Sequence, residues 1–156
     1  MKKLLVYLDI DGVLNNNIWE LKVFEEMGYY PLDRNELSKD NLENFKYLIN
    51  KLQTKYVVEI ILSSSWRWYP ETLQAVINQL KEIGLTLAGT TDVEINTTLS
   101  RSMEIKNHLK QNWINQDILI LDDISLDDDL KPFQIQTNLN EGLTQKLVDK
   151  ALHSLI

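Results

Sequence analysis

The run Leu4-Leu5-Val6-Tyr7-Leu8 is apolar at consecutive positions and gives way at once to Asp9-Ile10-Asp11-Gly12. A strand that is apolar on both faces must be covered on both, as in a parallel sheet layered between helices. Two further runs, Val57-Val58-Glu59-Ile60-Ile61-Leu62 and Ile118-Leu119-Ile120-Leu121, have the same near-continuous character. Periodicity predicts strands near 3–9, 56–63, 85–89, 117–122 and 132–137, with helices near 41–53, 70–83, 100–111 and 141–155. That alternation predicts an α/β fold, a three-layer α/β/α sandwich around a mainly parallel, Rossmann-like sheet of about five strands.

A chain of 156 residues suffices for one sizeable core, and no Pro/Gly/Ser-rich linker divides it, so a single domain over 1–156 is expected. Residues 15–40 form the one sizeable insertion, which predicts a small cap and an open site. Within it, residues 18–27 predict a short amphipathic helix ended by Gly28, and Tyr29-Tyr30-Pro31 an extended turn. Trp19, Phe24, Tyr29 and Tyr30 are expected to pack beneath a loop or to line the opening. With no cysteine, a disulfide framework and a thiolate metal site are both excluded. Met1-Lys2-Lys3 runs straight into the first strand, so neither a signal peptide nor a membrane span is expected, and the location expected is cytoplasmic. A net charge of −7 argues against an extended nucleic-acid-binding surface while leaving room for a local basic site. His108, one turn after Glu104, is expected to make a surface pair, and two unsupported histidines give no case for zinc.

In parallel sheets, ligands bind beyond the carboxyl ends of the strands. Three of the expected strands end there in polar groups: Asp9 and Asp11, then Ser63-Ser64-Ser65, then Asp122-Asp123. Alternate strand residues point the same way, so Asp9 and Asp11 can address one cavity. One carboxylate can attack phosphorus while the other serves as acid and then as base. Gly12 allows a sharp turn and a close backbone approach to a bound oxyanion. The aromatics of Trp66-Arg67-Trp68-Tyr69 either close the core, the favoured reading, or stack on a nucleobase. Arg67 either pairs a carboxylate or clamps a substrate phosphate. Asp127-Asp128-Asp129 reads as an exposed acidic loop.

The Asp-Ile-Asp-Gly-Val-Leu start, the apolar strand ending in Ser, a cation ahead of the fourth strand, and Leu121-Asp122-Asp123 resemble the four ordered motifs of the haloacid dehalogenase (HAD) superfamily. More narrowly, Leu62-Ser63-Ser64-Ser65-Trp66-Arg67, Arg101 with Glu104-Ile105, Leu121-Asp122-Asp123 and Gly142-Leu143-Thr144 resemble the small HAD domains associated with RNA-repair proteins. The resemblance implies a Mg²⁺-dependent phosphatase acting through an aspartyl-phosphate. Asp9 would be the nucleophile and Asp11 the general acid/base. Mg²⁺ would be held by Asp9, the backbone carbonyl of Asp11 and Asp122, with Asp123 as a further or water-mediated ligand. Ser64 is the expected hydroxyl for the phosphoryl group and Ser63 the competing register, with Ser65, Arg67 and Gly12 also facing substrate. For the cation, where the superfamily more often has Lys, Arg101 is favoured over Lys106, which lies about 7–8 Å deeper along its helix. The substrate expected is a nucleotide or nucleic-acid-end phosphate. The alternatives are a small-metabolite phosphatase and a catalytically weak HAD-fold domain that binds or regulates.

Overall fold

A computed structural model describes residues 1–92, 99–112 and 116–156, the side chain of Asn112 apart. Five strands, β1 (Lys2–Leu8), β2 (Tyr56–Leu62), β3 (Leu87–Thr90), β4 (Asp117–Asp122) and β5 (Gln134–Gln136), form one all-parallel sheet in the order β3-β2-β1-β4-β5. The helices are α1 (Asn17–Met27), α2 (Lys39–Leu52), α3 (Pro70–Glu82), α4 (Arg101–Asn112) and α5 (Gln145–Leu155). This is the α/β Rossmann-like fold that the alternating pattern predicts.

The period of two along β1 sorts its side chains into two cores. Leu4, Val6 and Leu8 join Phe45 and Leu48 of α2, Val76 and Leu80 of α3, and Val148 and Ala151 of α5. Leu5 and Tyr7 face the other way, with Ile61, Ile120 and Ile105 of α4. Every side chain of β1 from Leu4 to Leu8 is at most 2% exposed, which is why the run could not alternate. His108 departs from its expected surface pairing, because its Nδ1 lies 2.6 Å from the hydroxyl of the fully buried Tyr7. A buried phenol needs a polar partner, and the α4 face supplies this one.

Element ends shift for local reasons. Gly84, at φ +79°, closes α3 in a Schellman motif, with Gly84 N–H on the Lys81 carbonyl (3.0 Å) and Leu85 N–H on the Leu80 carbonyl (2.9 Å), so β3 starts at Leu87 rather than near 85. Ser38 Oγ accepts from Asn41 N–H (3.3 Å) and starts α2 earlier than expected, while Thr144 Oγ1 accepts from Leu147 N–H (3.3 Å) and starts α5 later. Pro132 has no N–H for a ladder and sits instead in a 3₁₀ turn, Lys131–Phe133, which shortens β5.

The insertion forms α1, capped by Asn16 Oδ1 on Trp19 N–H (2.8 Å) and by Gly28 at φ +80°. No residue of α1 is buried, a correction to its expected amphipathic packing. Three aromatics of the insertion find partners within it instead. Phe24 stacks on Tyr30 at 4.3 Å between ring centres, and the Arg34 guanidinium lies 3.6 Å over the Tyr29 ring. Among the described residues, no helix is long and apolar enough to cross a membrane.

Candidate active site

Register builds the site. Leu8 pairs with Leu62 on one side and with Leu121 on the other. The ladder runs one residue further, through Ser63 N–H to the Leu8 carbonyl (2.9 Å) and Asp9 N–H to the Leu121 carbonyl (3.0 Å). Ser63, Asp9 and Asp122 therefore occupy one row at the carboxyl ends of three neighbouring strands. Thr91 extends the row past β3, its N–H donating to the Leu62 carbonyl at 3.0 Å.

Asp9 and Asp122 are both buried, and with the half-exposed Asp123 they bring carboxylate oxygens within 4.8 Å of one another. Arg101, in the first turn of α4, meets them from above. Its Nη1 donates to Asp122 Oδ2 at 2.7 Å and lies 3.3 Å from Asp9 Oδ1. Asp9 Oδ1 also accepts the N–H of Ile10 at 2.8 Å. Burial, and then the charge of Asp122, push the Asp9 carboxyl well above the usual range, and Arg101 only partly opposes this. Burial likewise raises Asp122, with Arg101 and the Ile124 N–H pulling the other way. Asp9 and Asp122 in turn raise the Arg101 guanidinium despite the cost of its burial. Three carboxylates against this one guanidinium leave an excess of negative charge in an all-oxygen donor set, a chemistry that suits a hard divalent cation.

Lys106 points elsewhere, its Nζ pairing with Asp127 (3.0 Å) and Asp129 (2.9 Å) on the exposed side of α4. The acidic run 127–129 thus has a cation in it, beyond the solvated loop expected.

Ser63 and Ser64 are both buried, but they do different things. Ser64 Oγ accepts from Trp66 N–H at 3.2 Å and caps a 3₁₀ turn, Ser65–Trp68. Ser63 Oγ has no hydrogen-bond partner among the described residues, and neither has Thr91 Oγ1. The serine beside Asp9 in the row is thus Ser63, the competing register, while Ser64 caps the turn. Ser65 opens the turn and is half-buried.

Arg67 is 3% exposed and wholly engaged by protein. Its guanidinium pairs with Glu104 of α4, its Nε donates to the Asp92 carbonyl (2.8 Å) and its Nη1 to the Ser64 carbonyl (2.7 Å). Burial, and then the nearby Arg101, lower its pKa to about 10. Of its two expected roles, the arrangement matches the carboxylate pair.

Gly12 sits at φ +76°, and a Cβ there would fall 2.9 Å from Cβ and Oδ2 of Asp123. The close approach it permits is therefore that of Asp123 to the loop after β1. Asp11 stands apart from the three-carboxylate cluster. Its Oδ1 accepts Asn15 Nδ2 at 2.8 Å and the indole Nε1 of Trp66 at 3.1 Å. Asn15 and Thr91 carry no motif, and sequence reasoning missed them; Glu104 was read in the resemblance beside Arg101 but not as the partner of Arg67. Trp66 was legible only as an aromatic.

The model of one protein family, described as the HAD domain in Swiss Army Knife RNA repair proteins, matches residues 5–148. No curated protein and no solved structure matches the chain.

Proposed function

Because the chain belongs to the family of HAD domains in Swiss Army Knife RNA repair proteins, which points to a phosphatase-type hydrolase, we propose that it hydrolyses phosphomonoesters through an aspartyl-phosphate on Asp9. The observation that carries this reading is the meeting of Asp9, Asp122 and Asp123 within 4.8 Å beneath Arg101. The three carboxylates fit Mg²⁺, which Asp9, Asp122 and the Asp11 carbonyl would hold, with Asp123 directly or through water; bound there, it would neutralise phosphoryl charge.

Asp9 attacks the phosphorus, and Asp11 protonates the leaving oxygen and then takes a proton from the hydrolytic water. Arg101 balances charge on the nucleophile and on the transferring group. Ser63 Oγ–H donates to a phosphoryl oxygen, a role its position in the row and its open hydroxyl favour over Ser64. The preferred substrate is a phosphate on the end of a nucleic acid, in keeping with the family's description and with a cap helix that buries none of its residues.

The test is Mg²⁺-dependent phosphate release from p-nitrophenyl phosphate, nucleotides, sugar phosphates and end-phosphorylated oligonucleotides. Oligonucleotide ends should be hydrolysed best, and better sugar-phosphate turnover would replace repair with metabolism. Ser63→Ala should lose at least about tenfold in kcat/KM, as for a lost donor to transition-state charge. Ser64→Ala should keep the rate within about threefold while losing about 1 kcal/mol of stability through the lost cap. The reverse ranking would restore Ser64 to the phosphoryl group. Tight Mg²⁺ binding without turnover of any ester would favour a binding domain.

A further inference from the structure

We infer that Trp66 and Asn15 are positioning residues that confine the catalytic proton to one oxygen of Asp11. This rests on the role proposed above for Asp11, but the geometry is separate from the nucleophile and its carboxylate cluster. Both donors converge on Oδ1, Asn15 Nδ2 at 2.8 Å and Trp66 Nε1 at 3.1 Å, and Oδ2 accepts no hydrogen bond among the described residues. A carboxyl oxygen with N–H donors on both of its lone pairs has no place left for a proton. A protonated Asp11 therefore carries its hydrogen on Oδ2, the oxygen that no donor among the described residues occupies.

The donors are themselves held. Asn15 is 4% exposed, and its Oδ1 accepts the N–H of Gly12 at 3.0 Å. That bond assigns the amide, because the oxygen must face the backbone N–H and the nitrogen must face Asp11. Trp66 is 7% exposed in the main core, and the hydroxyl of Thr72 donates to its carbonyl at 2.6 Å. The buried indole directs its N–H at Asp11.

In the first step, an Asp9 oxygen forms a bond to phosphorus, the bond from phosphorus to the ester oxygen breaks, and the Oδ2 proton passes to that oxygen to release an alcohol. In the second, a water oxygen bonds to phosphorus, the bond from phosphorus to the Asp9 oxygen breaks, and a water proton returns to Oδ2. Only the first step depends on the leaving group. A p-nitrophenolate departs without a proton, whereas an alkoxide needs one.

The experiment compares kcat/KM, which reports the first step, for p-nitrophenyl phosphate and a nucleoside 5′-monophosphate in the wild type, Trp66→Phe and Asn15→Ala. Trp66→Phe keeps an aromatic ring and removes the donor, at the cost of some core volume that falls equally on both esters. The expected result is a loss of about tenfold or more on the nucleotide and within about threefold on the aryl ester, a split that a general packing defect does not produce. Equal losses on the two esters would overturn the inference. An activity-free readout accompanies it: the indole N–H resonance of Trp66 should move on Asp11→Ala, and an unmoved resonance would overturn the contact. Absence of all turnover in the wild type would instead count against the proposed reaction and would leave the resonance to decide the geometry.

Discussion

Replacing Asp9 by Asn is expected to lower phosphate release by at least about a thousandfold while the protein stays folded, since the substitution removes the nucleophile and one charge of the proposed Mg²⁺ site while leaving the packing nearly unchanged. Asn can still accept the Ile10 N–H, and Arg101 keeps its 2.7 Å bond to Asp122. Stability should not fall. Asp9 is 4% exposed, and burial together with Asp122 raises its pKa. An acid whose folded pKa lies above its unfolded value opposes folding at pH values above the unfolded one, and the opposition grows until the folded pKa is passed. At neutral pH and without metal, removing that charge should leave the melting temperature equal to that of the wild type or higher. The check pairs a melting curve with an assay of the same preparation. A variant that keeps its activity would remove Asp9 from the chemistry, and one that unfolds would show that the carboxylate also holds the fold.

Arg67→Met should have the largest effect on stability. Arg67 ties three segments together: the turn after β2 through the Ser64 carbonyl, the chain after β3 through the Asp92 carbonyl, and α4 through Glu104. Its side chain is 1% exposed and that of Glu104 is 11%, so the substitution strands a carboxylate away from water. Removing one partner of a buried pair costs about 3–5 kcal/mol. For a domain of this size that is a fall of roughly 6–20 °C in melting temperature. Arg101 lies three residues before Glu104 on α4, so loosening that tie should also blunt phosphate release. Adding Glu104→Gln removes the stranded charge and should restore part of the lost stability, and the double-mutant cycle measures how much. A variant that melts like the wild type but shows a raised KM would instead make Arg67 a phosphate clamp.

How much of this was legible in the sequence differs from element to element. The central strands were, because the carboxyl-terminal parts of β1, β2 and β4 are buried on both faces and so cannot alternate, and their apolar runs end where the site begins. Asp9 and Asp122 could be proposed for the same reason: each follows such a run at the edge where ligands bind. The choice between Ser63 and Ser64 could not be read, because three adjacent serines satisfy any register and only the pairing of Leu8 with Leu62 fixes which one stands beside Asp9. The Arg67–Glu104 pair joins α4 to the turn after β2, and no local pattern announces a contact at that separation. The error over α1 has a simple geometric origin. Ile18, Leu21, Phe24 and Met27 recur every third residue, and each such step retreats about 60° around a helix of 3.6 residues per turn, so they wind across its surface and form no stripe. All four are exposed.

The central claim, that Asp9 carries the phosphoryl group during turnover, is tested most directly by trapping. Enzyme quenched during steady turnover in Mg²⁺ and reduced with borohydride should yield a peptide in which Asp9 has become homoserine, the product expected from an acyl phosphate and not from a free carboxylate. Turnover that leaves Asp9 unreduced, or that places the reduced residue elsewhere, would contradict the account.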